Sequence, residues 1–352
     1  MSKEKDLAKL VAEAESDTVK ALQEDNRRLL KQNEKLKMTR EEYCNILEEV
    51  VLQNIRSLDI PPCTVPPHSK KRVGEEICVP IISDIQLAKR TATYDTDTAE
   101  KRVDEYANKI IKLARLHRAS GTPVKKAAVL ALGDIVEGEL IFPGQQHEID
   151  ASLYRQVTVD GPRIMHNFLS KLLSEFETVD VYWVIGNHGS LGGRARRDYS
   201  PETNADRMLG KILETMFEKE KRINFVIPEG GTAKNWYTVA DLGEKAKFLC
   251  FHGDNIRGSM GLPFYGYNKK ILGWKALASA GLMEDFTHAV CGHYHTPTSL
   301  YLNDVRLWVN GSTESHNAYA QEQLAAMGRP SQYTLFVKPD KGVTAEYLVS
   351  LE

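Results

Sequence analysis

Residues 127–134 read Ala-Ala-Val-Leu-Ala-Leu-Gly-Asp, six apolar residues that end at once on Gly133 and Asp134. Continuous apolar runs of this length are typical of strands that are buried on both faces of a parallel sheet. Two further runs, Ile77–Ile82 and Val181–Ile185, are also followed by polar residues that can bind metals. Because ligand sites in open α/β sheets lie beyond the carboxyl ends of the strands, these polar residues are expected to meet at one edge.

Five short polar motifs hold most of the candidate metal ligands. In chain order they are Ser83–Gln86, Gly133–Gly138, Gly186–Gly189, Phe251–Asp254 and Gly292–His295. Each motif alone is weak evidence, since Gly-Asp and Gly-Asn-His sequences also occur in tight turns. Together they supply carboxylates, an amide and imidazoles, which is the ligand chemistry that a pair of divalent metals requires.

The ordered set resembles the signature of the calcineurin-like metallophosphoesterase superfamily, which is D-x-H, G-D, G-N-H, H and G-H-x-H. The resemblance extends over residues 78–349 and implies an α/β fold, a layered sandwich of two sheets flanked by helices. It also implies hydrolysis of phosphoric esters through two divalent metal ions at one rim of the sheets. The implied metal ligands are Asp84, Gln86, Asp134, Asn187, His252, His293 and His295.

Within that resemblance, Asp84 and His295 bind the first metal and Asp134 bridges the two ions. Asn187, His252 and His293 complete the second site, and His188 donates a proton to the leaving oxygen or stabilises the phosphoryl oxygens. Two cations about 3.5–4 Å apart can hold the attacking and leaving oxygens and lower the pKa of the attacking water. An imidazole with a pKa near 6.5 is a natural proton donor at neutral pH.

The first motif departs from the superfamily pattern, because Gln86 stands where most members have histidine. An amide ligates only through a weakly basic carbonyl oxygen, or not at all. The first site is therefore expected to favour manganese or magnesium over zinc. The expected pair of divalent ions is manganese, with magnesium or another first-row metal as the alternative. With Gly189 in the third motif and Asn310–Ser312 later, the chain resembles a branch of the superfamily that is common in bacteriophage genomes.

The composition indicates an intracellular protein without a membrane segment. The chain has 352 residues and a net charge of −2, and no run of about eighteen apolar residues occurs. The five cysteines are scattered, so neither a disulfide framework nor a zinc site is predicted. The expected location is the cytoplasm, or the host cytoplasm if the protein is encoded by a phage.

The first 59 residues are predicted to form a coiled-coil helix, followed by a Pro-rich linker over residues 60–76 and a catalytic domain over 77–352. Apolar residues recur every seven positions at Leu22, Leu29, Leu36, Tyr43 and Val50, with Asn26 and Asn33 on the neighbouring core position. Leucine combined with asparagine in this way favours a parallel homodimer. The alternative is one long helix whose apolar stripe packs on its own catalytic domain.

The catalytic domain is predicted to alternate strands and helices at first and then to become rich in strands. Apolar residues repeat with a helical period over residues 97–117, 153–176 and 204–217. Strands are predicted at residues 248–251, 286–291, 305–309, 333–337 and 344–349.

A loop after His188 carries the candidate substrate contacts Arg194, Arg196 and Arg197. Guanidinium groups on this loop are expected to clamp phosphates beyond the reacting one. The alternative is a solvated loop whose arginines pair with local acids such as Asp198.

Cations and aromatic residues also alternate after the fourth motif. Lys269 and Lys270 lie between Tyr267 and Trp274. This mixture suits a single-stranded nucleic acid with stacked bases. It is equally typical of aromatic residues that pack within the protein.

Three functions fit these patterns. The first is a metal-dependent nuclease that cuts DNA, and the second is a phosphodiesterase or phosphatase for a nucleotide or another small phosphorylated molecule. The third is a non-catalytic platform that keeps only the fold. A nuclease should lose DNA affinity steeply with added salt, whereas metal content distinguishes a platform from both enzymes.

Overall fold

The chain divides into two units, Met1–Gln53 and Asn54–Glu352. The computed structural model describes residues 20, 23–32, 49, 51, 53, 74–192, 201–229, 235–256, 262–315 and 328–352. In the first unit, residues 23–32 are helical, and Leu29 and Leu30 are each 59% exposed. Most of the predicted heptads, and the predicted linker up to residue 73, lie outside the described residues.

Six strands form the first sheet of the second unit. Their spatial order is β11 (Gly342–Ser350), β10 (Ser331–Lys338), β1 (Glu76–Ile82), β2 (Val124–Ala131), β3 (Thr178–Trp183) and β4 (Ile223–Val226). Strands β1 to β4 are parallel, whereas β10 pairs with β1, and β11 with β10, in the antiparallel direction. The apolar runs before the first three motifs are therefore adjacent parallel strands, as predicted.

Five strands form the second sheet. Their order is β5 (Tyr237–Asp241), β6 (Lys247–Phe251), β7 (His288–Cys291), β9 (Val305–Val309) and β8 (Thr298–Leu302). The inner strands β6, β7 and β9 are parallel, and both edge strands pair in the antiparallel direction. Val79 and Leu130 of the first sheet share one buried core with Phe248 and Trp308 of the second. The two sheets thus form a sandwich.

Helices cover both outer faces of the sandwich. They are α1 (Thr96–Ala119), α2 (Gly161–Glu175), α3 (Ala205–Met216) and α4 (Phe264–Ser279). On α1 the predicted apolar stripe is buried at Val103, Tyr106 and Ile110, and Asp95 caps its first turn. On the second sheet, α4 packs Tyr267 and Trp274 against the strands. These two aromatic residues therefore belong to the core and do not stack bases.

The mixed α/β sandwich predicted from the sequence is confirmed, with two local differences. The predicted helix over residues 153–176 contains a π-helical turn at Gln156–Asp160 before α2 begins. The helix α4 has no strong amphipathic pattern, and the sequence did not predict it. Among the described residues, no helix is both long and apolar enough to cross a membrane.

Candidate metal centre

The predicted ligands lie at the carboxyl ends of parallel strands from both sheets, where the backbone is strained. Asp84 and Asp134 follow β1 and β2 with φ of 51° and 50°, and His293 and His295 follow β7 with φ of 72° and 52°. Residues other than glycine rarely adopt this left-handed conformation, which costs about 1–3 kcal/mol at each position. The strain is concentrated at the place where the five motifs meet.

Two motif glycines are required by the close approach of carboxylates. A Cβ atom on Gly186 would lie 2.0 Å from Asp134 Oδ1. A Cβ atom on Gly292 would lie 2.3 Å from Asp84 Oδ2. Gly186 of the third motif thus leaves space for Asp134 of the second, and Gly292 of the fifth motif leaves space for Asp84 of the first.

Four predicted ligands bring their donor atoms together around His252. Its Nε2 atom is 2.9 Å from Asp134 Oδ2, 3.1 Å from Asn187 Oδ1 and 3.2 Å from His293 Nδ1. Ligand atoms that lie about 2.1 Å from one octahedral ion are about 3.0 Å apart, so these separations fit one divalent cation. Within the described part of the chain, Asp134, His252 and His293 are the one group of three strong ligands that meets in this way.

A hydrogen bond to the backbone fixes the orientation of the His252 ring. The carbonyl oxygen of Leu132 lies 2.8 Å from His252 Nδ1 and accepts a hydrogen bond from its N–H group. This hydrogen bond leaves Nε2 as the atom that faces the other ligands. Metal-binding histidines commonly have such a partner, which sets the tautomer and the direction of the ring.

The charges of the cluster are strongly coupled. Burial would raise the pKa of Asp134, but the neighbouring His252 and His188 outweigh burial and hold it far below its usual range. Burial opposes the charged form of His252, but Asp134 outweighs it and raises the pKa of His252 to about 10. Burial and then the His252 charge lower the pKa of His293 to about 4. A metal ion needs both imidazoles neutral, so its binding would release the proton of His252.

His188 lies beside this cluster without joining it. Its backbone N–H donates to Asp134 Oδ1 at 2.7 Å, and its Nδ1 atom lies 3.0 Å from the Glu137 carbonyl oxygen. Burial lowers the pKa of His188, but the charges of Asp134 and Glu137 outweigh burial and raise it to about 9. In the metal-free protein these charges therefore favour the protonated ring, which is the form that a proton donor needs.

The first metal position, next to Asp84, has a different character. His295 Nε2 lies 3.3 Å from Asp84 Oδ1 and 3.3 Å from Gln86 Nε2. The side-chain oxygen of Gln86, Oε1, accepts a hydrogen bond from Lys89 Nζ at 3.1 Å. The side-chain amide therefore turns its N–H₂ group toward His295. An N–H group cannot bind a cation. These contacts fit a second ion poorly, and the ligand role of Gln86 stays a prediction.

A family model for calcineurin-like phosphoesterases matches residues 79–311, more than half of the chain. The chain belongs to this family. Its members use divalent metals to hydrolyse phosphoric esters, and the cluster around His252 is a possible metal-binding group of this phosphoesterase. No curated protein sequence matches the chain.

Several solved structures are similar to this phosphoesterase at low identity. An archaeal phosphodiesterase is 11% identical, with a TM-score of 0.34, and the match covers 77% of this chain and 99% of that one. The hypothetical protein PH1004 from Pyrococcus horikoshii OT3 is 12% identical, with a TM-score of 0.40 and coverage of 78% and 88%. Vps29 from Cryptosporidium parvum is 12% identical, with a TM-score of 0.36 and coverage of 78% and 99%. Values this low carry no argument about substrate.

The predicted substrate contacts Arg194, Arg196 and Arg197 of this phosphoesterase lie outside the described residues. A cavity of about 140 Å³ opens beside the predicted ligands Asn187 and His252. Its lining includes Leu191, Asn204 and Trp236, which the sequence did not single out.

The sequence also missed Asp206, a buried residue in the first turn of α3. Its Oδ2 atom accepts hydrogen bonds from Asp134 N and Gly186 N, both at 2.8 Å. Its Oδ1 atom accepts from Ile135 N at 3.0 Å and Val136 N at 3.2 Å. Asp206 therefore joins the second and third motifs of the phosphoesterase. No sequence signal near it resembles a ligand motif, because its role depends entirely on tertiary contacts.

Replacing Asp206 by asparagine is expected to destabilise the phosphoesterase by about 2–4 kcal/mol, because two of the four buried N–H donors lose their acceptor. The matched change at the exposed Asp340, Asp340→Asn, should alter the free energy of unfolding by less than about 0.5 kcal/mol. Urea unfolding of both variants measures the difference. Equal unfolding midpoints would show that Asp206 does not hold the two motifs together.

Proposed function

We propose that this protein is a metal-dependent phosphodiesterase and that its substrate is DNA. The observation that carries the hydrolytic part is the convergence of Asp134, Asn187 and His293 within hydrogen-bond distance of His252 Nε2. His188 lies directly beside them in the position of a proton donor. A binding site for a divalent ion and a positioned proton donor are the two parts that phosphodiester hydrolysis needs.

The residues of the chain divide the chemistry among them. Asp134, Asn187, His252 and His293 would hold a divalent ion, which when bound would supply positive charge to the phosphoryl oxygens and lower the pKa of a water. His188 delivers a proton to the leaving oxygen, and Glu137 holds its ring through Nδ1. Asp206 keeps Asp134 and Gly186 in register, and Leu132 fixes the ring of His252.

Manganese is the metal that we propose. The cluster offers two oxygen and two nitrogen donors, from Asp134 and Asn187 and from His252 and His293. No thiolate takes part, since the described cysteines Cys78, Cys250 and Cys291 are buried in strands. Manganese prefers mixed oxygen and imidazole ligands to thiolate ligands.

The cavity beside the cluster supports a nucleic-acid substrate. It is lined by Trp236, whose ring lies 4.9 Å from Trp274, and by Asn204 and Asn255. An aromatic ring that is held in place and remains partly exposed can stack a base, while the amides can contact polar base edges. We further propose that the protein is a homodimer, which the exposed Leu29 and Leu30 support.

Hydrolysis assays with manganese distinguish the candidate substrates. Labelled single strands, duplexes and a bis-aryl phosphodiester should be incubated with the purified protein at several salt concentrations. A nuclease should cleave a DNA substrate, whereas the alternative, a phosphodiesterase or phosphatase for small molecules, should cleave only the aryl ester. Absence of cleavage of every substrate would contradict the proposed function.

The affinity for DNA is expected to depend on salt through Arg194, Arg196 and Arg197. If these three residues contact phosphates, raising the salt from about 50 to about 200 mM should weaken binding about 40-fold. Replacing all three by alanine should remove most of this dependence. Binding is measured by fluorescence anisotropy with a catalytically inactive protein.

The matched control replaces three exposed lysines by alanine, namely Lys112, Lys219 and Lys221. It removes the same net charge from other parts of the surface. An equal loss of salt dependence in the control would mean that the arginine loop has no special role in binding.

A further inference from the structure

Lys89 is a buried cation next to Gln86, one of the predicted ligands of the first metal. Its side chain is 9% exposed, and Nζ lies 3.1 Å from Gln86 Oε1 and 3.0 Å from Glu314 Oε2. Its backbone is fixed by a β-bridge to Ile149 and by a hydrogen bond from its N–H to the main-chain carbonyl oxygen of Gln86. Lysines are rarely buried unless they are paired, so this arrangement requires the nearby acid.

Lys89 determines which atoms Gln86 can offer. An ammonium group only donates hydrogen bonds, so the amide oxygen of Gln86 must face Lys89. The amide N–H₂ group is then the part that faces His295 Nε2, at 3.3 Å. The one amide atom that could bind a metal therefore faces a cation from the chain itself and points away from His295.

Asp134 also gives little to the first position. Its Oδ2 atom faces His252 Nε2, and its Oδ1 atom accepts the N–H of His188. Asp84 and His295 remain as ligands, and the backbone N–H of His293 already donates to both oxygens of Asp84, at 3.0 and 3.1 Å. Two ligands beside a fixed positive charge make a weak cation site.

Glu314 completes the arrangement. Its side chain is 4% exposed, and Oε1 lies 3.8 Å from His295 Nδ1 while Oε2 pairs with Lys89. The carboxylate therefore holds Lys89 and His295 on either side. This geometry places the Lys89 charge beside the predicted first-metal ligand Gln86, with the Glu314 carboxylate between Lys89 and His295.

We propose that the Lys89 ammonium, paired with Glu314, holds the Gln86 amide oxygen away from the first metal position, so that one chain binds a single divalent ion tightly. This inference rests on the proposed function, because the ion that remains is the one held around His252. Lys89 is on this account a positioning residue for the Gln86 amide.

Manganese stoichiometry tests the proposal without measuring activity. Apo-protein is titrated with manganese by calorimetry, and bound metal is counted after desalting. The wild type should bind one ion per chain, and its electron paramagnetic resonance spectrum should be that of an isolated ion. Two ions per chain of similar affinity, with the spectrum of an exchange-coupled pair, would overturn the proposal.

The Lys89→Met/Glu314→Leu double variant removes both charges and leaves the Gln86 carbonyl free to turn. Replacing a buried ion pair by apolar residues of similar size is often neutral for stability, so the fold should persist. This variant should bind a second ion, whereas Lys89→Arg, which keeps the charge, should bind one. A double variant that still binds one ion would also overturn the proposal.

The result also distinguishes this inference from the proposed function. A wild type that binds no manganese would remove the metal-dependent mechanism altogether. Binding of two ions would leave that mechanism intact and remove only the role of Lys89. The wild-type measurement needs no variant, so it is decisive even if the double variant fails to fold.

Discussion

Replacing Asp134 by alanine is expected to reduce metal-dependent phosphodiester hydrolysis by about 10³-fold or more and to lower the bound metal. Asp134 is the one carboxylate in the group around His252, and its two oxygens also contact the ring of His252 and the backbone of His188. Without it, two imidazoles and an amide remain, and none of them carries a negative charge. The turnover number and the metal content are measured together.

A second substitution separates charge from backbone strain. Alanine at φ of 50° is strained by about 1–2 kcal/mol, so Asp134→Ala can lose stability as well as metal. Asparagine tolerates this conformation and keeps the shape of the side chain, so Asp134→Asn should fold normally and still lose metal. Near-normal turnover in the asparagine variant would mean that the charge of Asp134 is not needed.

Replacing His188 by alanine is expected to preserve bound metal and to lower the turnover number by about 10²–10⁴-fold. The wild-type rate should fall as the pH rises through the pKa of His188, because the proton donor is then lost. This fall should be absent in His188→Ala. The backbone N–H that supports Asp134 remains in the variant, so the change affects the imidazole alone.

The exposed His147 provides the matched control for His188. His147→Ala should leave the rate, the pH profile and the metal content unchanged. If His188→Ala lost its metal, the residue would be a ligand and not a proton donor. If the variant kept the wild-type rate at every pH, neither role would hold.

The fold was largely predictable because the relevant signals are local. The apolar runs at Ile77–Ile82 and 127–132 are buried on both faces, so their sequences contain almost no polar residues. The helix α1 shows its buried stripe in its period, since its other face is exposed to water. By contrast, α4 has no such pattern, and β5 and β8 are short edge strands. The sequence did not predict these three elements.

The ligand motifs were recognisable because each one depends on the backbone of a strand end. Gly186 and Gly292 belong to the motifs because a side chain at either position would collide with a carboxylate across the site. Asp206 and Lys89 have no such local constraint. Their roles come from partners that are distant in sequence, or from the particular orientation of one amide, and a single sequence cannot show either.

The measurement that tests the central claim most directly is the rate of phosphodiester hydrolysis before and after removal and return of manganese. The chelated protein should be inactive and still folded, and added manganese should restore the rate as the site around His252 fills. The same titration of His252→Ala should restore little activity, because that side chain contacts the other three ligands. Hydrolysis that persists at the full rate in the chelated protein, or that returns fully in His252→Ala, would contradict the account.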